Sequence, residues 1–415
     1  MELIAILSLL LAIAALPGVW NLLQKQFDQW RASRAGTFFT EQMVSEMNPV
    51  EKYSKDLLYF FPGGWARALR LWGAQGQNAR ASEVIVEYEH TLLEHPVEFV
   101  EQARAEIERR RAQSLSRGAK FFNGPNTRLI AWSANPAEDR SVARERDTVK
   151  LILGPVGWED YTGLNDAFRI ENDQSSVLPM FRHYVGLDAL VHDRSVSSSR
   201  LSNILDTATT LITRDGFAGF QLRSGKVSAS DGRITSAIAE NINRWMDDAD
   251  PCDPQNLTNA NWSRQKGPAP DNSYKPSKVP HPFAAVLRGI ASEISPRVLE
   301  RIHLDCVRLT GISFDLEVMH PDALFVVFVD ATRAEVEADR ALSPGDEHDE
   351  GRLRFVPATF KSDETLQVLR QKEWTGAGLA SLLRSIEVID AACKDGGRPF
   401  EEVFANFVRK PDGTA

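Results

Sequence analysis

The stretch Pro282–Ser295, "PFAAVLRGIASEIS", sets a guanidinium, an apolar residue and a carboxylate at helical spacing: Arg288, Ile290 and Glu293. Such a set could hold an anion at the Arg and a cation at the Glu. One carboxylate alone makes a poor magnesium site, because that ion wants several oxygen ligands or substrate phosphates. The competing reading is an amphipathic helix that buries Phe283, Val286, Leu287 and Ile290, with Arg288 and Glu293 at its surface. A second candidate is the basic turn "QLRSGK", where Arg223 and Lys226 follow a β-rich run and could pair with phosphate.

Other chemistries drop out on spacing. "GFQLRSGKV" resembles a phosphate loop, but five residues separate Gly219 from Gly225, and Val227 stands where a magnesium-holding Ser or Thr belongs. There is no GxSxG elbow and no GxGxxG after a strand. The eight histidines form no HExxH or HxxxH pair, so neither a histidine metal site nor a resident metal or cofactor is expected. Cys252, Cys306 and Cys393 are far apart and odd in number, which fits a reducing compartment. A net charge of -9 argues against a general DNA or RNA binder but leaves room for a small anionic ligand.

The elements that must position these residues fall into three stretches. Leu3–Leu23 carries no charge, and 21 helical residues reach about 31 Å, one bilayer core, so a transmembrane helix is expected over 1–24. Lys25, Arg31 and Arg34 follow it, which by the positive-inside rule places the body in the cytosol. Residues 25–118 are expected to form a helical juxtamembrane region, with Trp65, Leu69 and Trp72 on a helix turn and a further helix near Val97–Ile107. From 119 to 395 the texture is mixed α+β. Strands are expected at "TRLIAW", "TVKLILG", "ATTLITRD", "FAGFQLR", "VRLTGISFDL", "ALFVVFVD" and "LRFVPATF", and helices over 233–246, 283–293 and 374–392. Residues 396–415 read as a tail.

The run "LITRDGFAGFQLRSGKVSASDGRITSAIAEN", a proline-rich insert, "HPFAAVLRGIASEIS" and "GISFDLEVMHPDALFVVFV" together resemble a divergent Nudix domain. In that family a helix with the pattern Arg-Glu-apolar-x-Glu-Glu-x-Gly holds magnesium ions against a diphosphate. Here Arg288, Ile290 and Glu293 match. Gly289 and Ser292 replace two of the Glu residues, Ser295-Pro296 replaces x-Gly, and Pro280 and Tyr274 fall where the upstream Glu and Gly belong. Glu240 and Asp305 are the carboxylates that could approach from elsewhere. The resemblance implies an α/β/α sandwich. With the anchor, it implies a transmembrane-Nudix effector of bacterial cyclic-oligonucleotide antiphage defence, a homo-oligomer in the inner membrane. Such an effector would bind a cyclic nucleotide through Arg223, Lys226 and Arg288 and then disrupt the bilayer. The alternatives are a magnesium-dependent hydrolase of nucleoside diphosphate derivatives using Glu293, and a membrane scaffold that binds no nucleotide.

Overall fold

The computed structural model describes residues 58–408 apart from 63, 74–75, 98–99, 117–122, 136–147, 167–185, 187–188, 224–232, 249–269, 271, 345–350, 372 and 395–396. The expected membrane segment at 3–23 and Lys226 lie outside these residues. Among the described residues no helix is long and apolar enough to cross a membrane.

The chain is mixed α+β. Its core is a sheet of nine strands in the order β1-β2-β10-β11-β6-β7-β12, with β8 beside β7 and β9 beside β6. The strands are β1 (Leu58–Phe61), β2 (Gly64–Trp72), β6 (Asp206–Thr213), β7 (Phe217–Arg223), β8 (Ile234–Ser236), β9 (Ile238–Asn241), β10 (Val307–Asp315), β11 (His320–Val329) and β12 (Gly351–Pro357). β11 runs parallel to β6, with Asp322 level with Asp206. Every residue of β10 and β11 is buried, including the polar Arg308, Thr310, Asp315 and Asp322, as befits central strands of a sheet covered on both faces. A smaller sheet has the order β3 (Val84–Tyr88), β5 (Thr148–Gly157), β4 (Pro125–Asn135).

Helices cover both faces of the large sheet. The helix α1 (Val100–Ser116) lies outside this packing, against the segment Thr162–Asp166. The helix α2 (Pro282–Gly289) is capped by His281, starts with Pro282 at its first position and is buried throughout. Its Phe283 meets Phe325 of β11 edge-on at 5.0 Å. It continues through Ile290–Ile294 as a wider π-type turn, closed by Ser295 N donating to the Ile290 carbonyl at 2.8 Å. Three further helices are α3 (Arg333–Leu342), α4 (Asp363–Leu369) and α5 (Gly376–Lys394). On the other face α5 packs along β2, β10, β11 and β6, and Ser381 meets Thr210 of β6 at 3.0 Å. A last helix, α6 (Phe400–Val408), lays Phe404 and Phe407 on Phe328, with the Phe407 ring stacked at 4.1 Å.

Three expectations are corrected here. Residues 64–72 are not a helix but strand β2, hydrogen-bonded to β10, so this part of the 25–118 region belongs to the main sheet. Its buried residues, Ala66, Ala68, Leu69, Leu71 and Trp72, follow no clean period of two, so the spacing of Trp65, Leu69 and Trp72 imitates a helix. The helix expected over 233–246 is instead the short strands β8 and β9. The tail at 396–415 contains α6, whose Val403 and Phe404 are buried.

Candidate functional site

The helix singled out by the sequence is fixed to β9, and its polar groups meet protein partners. The Arg288 side chain is buried. Its Nε donates to Asp247 Oδ1 (2.9 Å), its Nη1 to Glu240 Oε2 (2.6 Å) and its Nη2 to the Asn241 carbonyl (2.8 Å). Burial opposes the charge, but Asp247 and Glu240 outweigh it and hold the guanidinium's pKa above its ordinary value. Glu293 is likewise buried: Oε1 accepts from the Ala239 amide (2.9 Å) and Oε2 from Gln221 Nε2 (3.2 Å). Ser292 donates to Glu240 Oε1 at 3.1 Å.

Gly289 is required by a close approach of β9. A Cβ built there would collide with the Ile238 methyl and lie 2.7 Å from Glu240 Cγ. The strand β9 therefore crosses the helix at position 289, where its Glu240 reaches Arg288 and Ser292. Asp305, the other outside candidate, lies in the short turn Leu304–Cys306, where its backbone carbonyl accepts from Arg308. Arg223 ends β7, half-buried, where its charge offsets part of the burial that raises the pKa of Asp206.

A second cluster sits on the α5 face. Alternation along β6 turns Asp206 to the side of Thr210, hence toward α5, while β9 sends Glu240 to α2 and Asn241 the other way. The Asn241 amide, oriented to satisfy both groups, donates to Asp206 Oδ2 at 3.0 Å. One short strand thus serves both clusters. Around Asp206, ligating atoms of His320 and Asp322 come within 4.8 Å of one another and of the Asp206 carboxylate. His320 Nε2 is 3.6 Å from Asp206 Oδ2, and its Nδ1 is 3.9 Å from Asp322 Oδ2. The Tyr161 ring stands edge-on to His320 at 5.8 Å.

The turn before His320 is built tightly. Asp315 Oδ1 accepts from the Glu317 amide (2.7 Å), and Met319 takes a left-handed φ of 61° that costs about 1–3 kcal/mol. Asp315 Oδ2 accepts from Ala377 N (2.8 Å) at the start of α5, where a favourable helix dipole adds to the bond. Gly376 is required there, because a Cβ would lie 2.7 Å from that oxygen and press on the Arg67 carbonyl. Burial raises the pKa of Asp322 well above the carboxylate range, helped by the neighbouring charges of Asp315 and Asp206. Asp206 and Asp315 are raised too, in both cases first by burial.

This cluster was missed in the sequence because residue 206 is far from 320 and 322. The available signal was an Asp near the start of two apolar runs, "DTATTLIT" and "HPDALFVVFV", which the parallel register brings level. No model of a known protein family matches the chain, and no curated protein is significantly similar to it. The class that fold and site define is a mixed α+β domain with a helix locked to the sheet by buried ion pairs and an Asp-His-Asp cluster on the opposite face.

Proposed function

We propose that the chain is a membrane-tethered bacterial effector of antiphage defence. Its divergent Nudix-like domain, an α/β/α sandwich, binds a cyclic nucleotide second messenger without hydrolysing it. Binding then shifts the assembly of the anchored N-terminal segments and disrupts the inner membrane. The observation that carries the non-hydrolytic part is the fate of the box. Arg288, Glu293 and Glu240 are engaged by Asp247, Ala239, Gln221 and Ser292, so the helix serves as a strut rather than a magnesium platform. A sensor needs affinity without turnover, and losing the metal carboxylates separates the two.

With Arg288 held inside the protein, recognition of phosphate falls to Arg223, at the end of β7, and to Lys226, three residues further along the sequence. Calorimetry of the full-length chain in detergent with cyclic di- and trinucleotides tests this. Saturable binding weakened by Arg223→Ala supports the reading; no binding of any such ligand favours the scaffold. The hydrolase remains a second reading on one specific observation, the Asp206–His320–Asp322 cluster, which has the residue types of a catalytic metal site outside the box.

A further inference from the structure

We propose that Asp206, His320 and Asp322 form a binding site for one divalent transition-metal ion of the zinc or manganese kind. The distances suit a single ion. Bonds of about 2.0–2.2 Å allow ligands to stand up to about 4.4 Å apart, so the 4.8 Å set closes on an ion with a shift of a few tenths of an ångström. The imidazole is set for ligation. Its Nδ1 lies 3.2 Å from the Pro321 carbonyl, which can only accept, so Nδ1 carries the hydrogen and Nε2 presents a lone pair. That lone pair faces the carboxylate of Asp206 at 3.6 Å, an arrangement that needs a positive centre between them.

The independent sign of a ligand is Asp322. Its side chain is 3% exposed, and Oδ2 has no hydrogen-bond partner, standing 3.9 Å from Nδ1 of the ring, beyond hydrogen-bond reach. A proton on Nε2 would answer Asp206 and leave that oxygen orphaned; an ion at the centre answers all three. The surrounding groups are already committed. Asn241 orients Asp206, Asp315 caps α5, and Glu317 is paired with Arg67 and Arg233. Asp206, with 26% of its side chain exposed, is the open side from which an ion and its remaining water ligands would enter. One imidazole nitrogen with two carboxylate oxygens suits zinc or manganese better than calcium, which takes six to eight oxygens.

The test uses full-length protein in detergent, stripped with EDTA and dialysed against Mn²⁺ or Zn²⁺, with bound metal counted by mass spectrometry and affinity measured by titration. About one ion per chain is expected, with affinity lowered at least about tenfold by Asp322→Asn and, separately, by Asp206→Asn. Both amides are isosteric, and urea unfolding of each variant verifies that it is folded. Wild-type protein that retains less than about a tenth of an ion per chain, or folded amide variants that bind as tightly as wild type, overturns the site.

Discussion

Replacing Gly289 tests whether the box helix is locked as described. A glycine inside a helix ordinarily costs about 1 kcal/mol relative to alanine, so Gly289→Ala on an open helix would stabilise the protein by that amount. Here the added Cβ runs into the Ile238 methyl and lies 2.7 Å from Glu240 Cγ. Neither neighbour can retreat easily: β9 is paired to β6, and Glu240 is tied to Arg288 and Ser292. Overpacking of this kind costs about 1–3 kcal/mol, which cancels or exceeds the helix gain and leaves Gly289→Ala at a net loss of up to about 2 kcal/mol. Gly289→Glu sets a second carboxylate against Glu240 and loses at least about 3 kcal/mol. Urea unfolding at constant m-value reads both. A Gly289→Ala variant more stable than wild type by about 1 kcal/mol would refute the reasoning, because it would show that β9 does not close on position 289.

Arg288→Met removes the guanidinium that neutralises Asp247 and Glu240 and is expected to destabilise by about 3–5 kcal/mol, whereas Arg223→Ala shifts stability by about 0.5 kcal/mol or less; chemical denaturation distinguishes them. Asp322 has a folded-state pKa above its unfolded value, so the native state holds the extra proton. The stability this confers is present below the unfolded pKa of about 4 and is lost as pH rises through the folded value. In chelator, Asp322→Asn is therefore expected to match wild type near pH 3 and to gain in melting temperature relative to it toward neutral pH. Phe404→Ala, which uncovers Phe328, is expected to cost about 3 kcal/mol in urea unfolding, showing that α6 is part of the core.

Much of the fold was legible where one physical signal dominated. Strand β7 coincides with "FAGFQLR" end to end, and β10 and β11 overlap the β-rich runs "VRLTGISFDL" and "ALFVVFVD". The helices α2 and α5 followed from apolar periodicity. The failures share a cause, which is that tertiary pairing decided the conformation. In β2 burial follows no clean period of two, because Leu69, Leu71 and Trp72 are buried along with Ala66 and Ala68, and β8 and β9 are three and four residues long. The burial of Arg288 in α2, and its pairing with Glu240, depend on a strand some fifty residues upstream whose crossing no local pattern encodes. The Asp-His-Asp cluster exists only through the parallel register of β6 and β11.

The measurement that bears most directly on the central claim is incubation of the full-length chain with cyclic di- and trinucleotides and nucleoside diphosphate derivatives in the presence of Mg²⁺. Binding and the chemical integrity of each nucleotide are followed in the same sample. A cyclic nucleotide is expected to bind and to be recovered intact, and Glu293→Gln to change stability but not ligand integrity. Turnover of any of these nucleotides that is abolished by Glu293→Gln in a folded variant would contradict it.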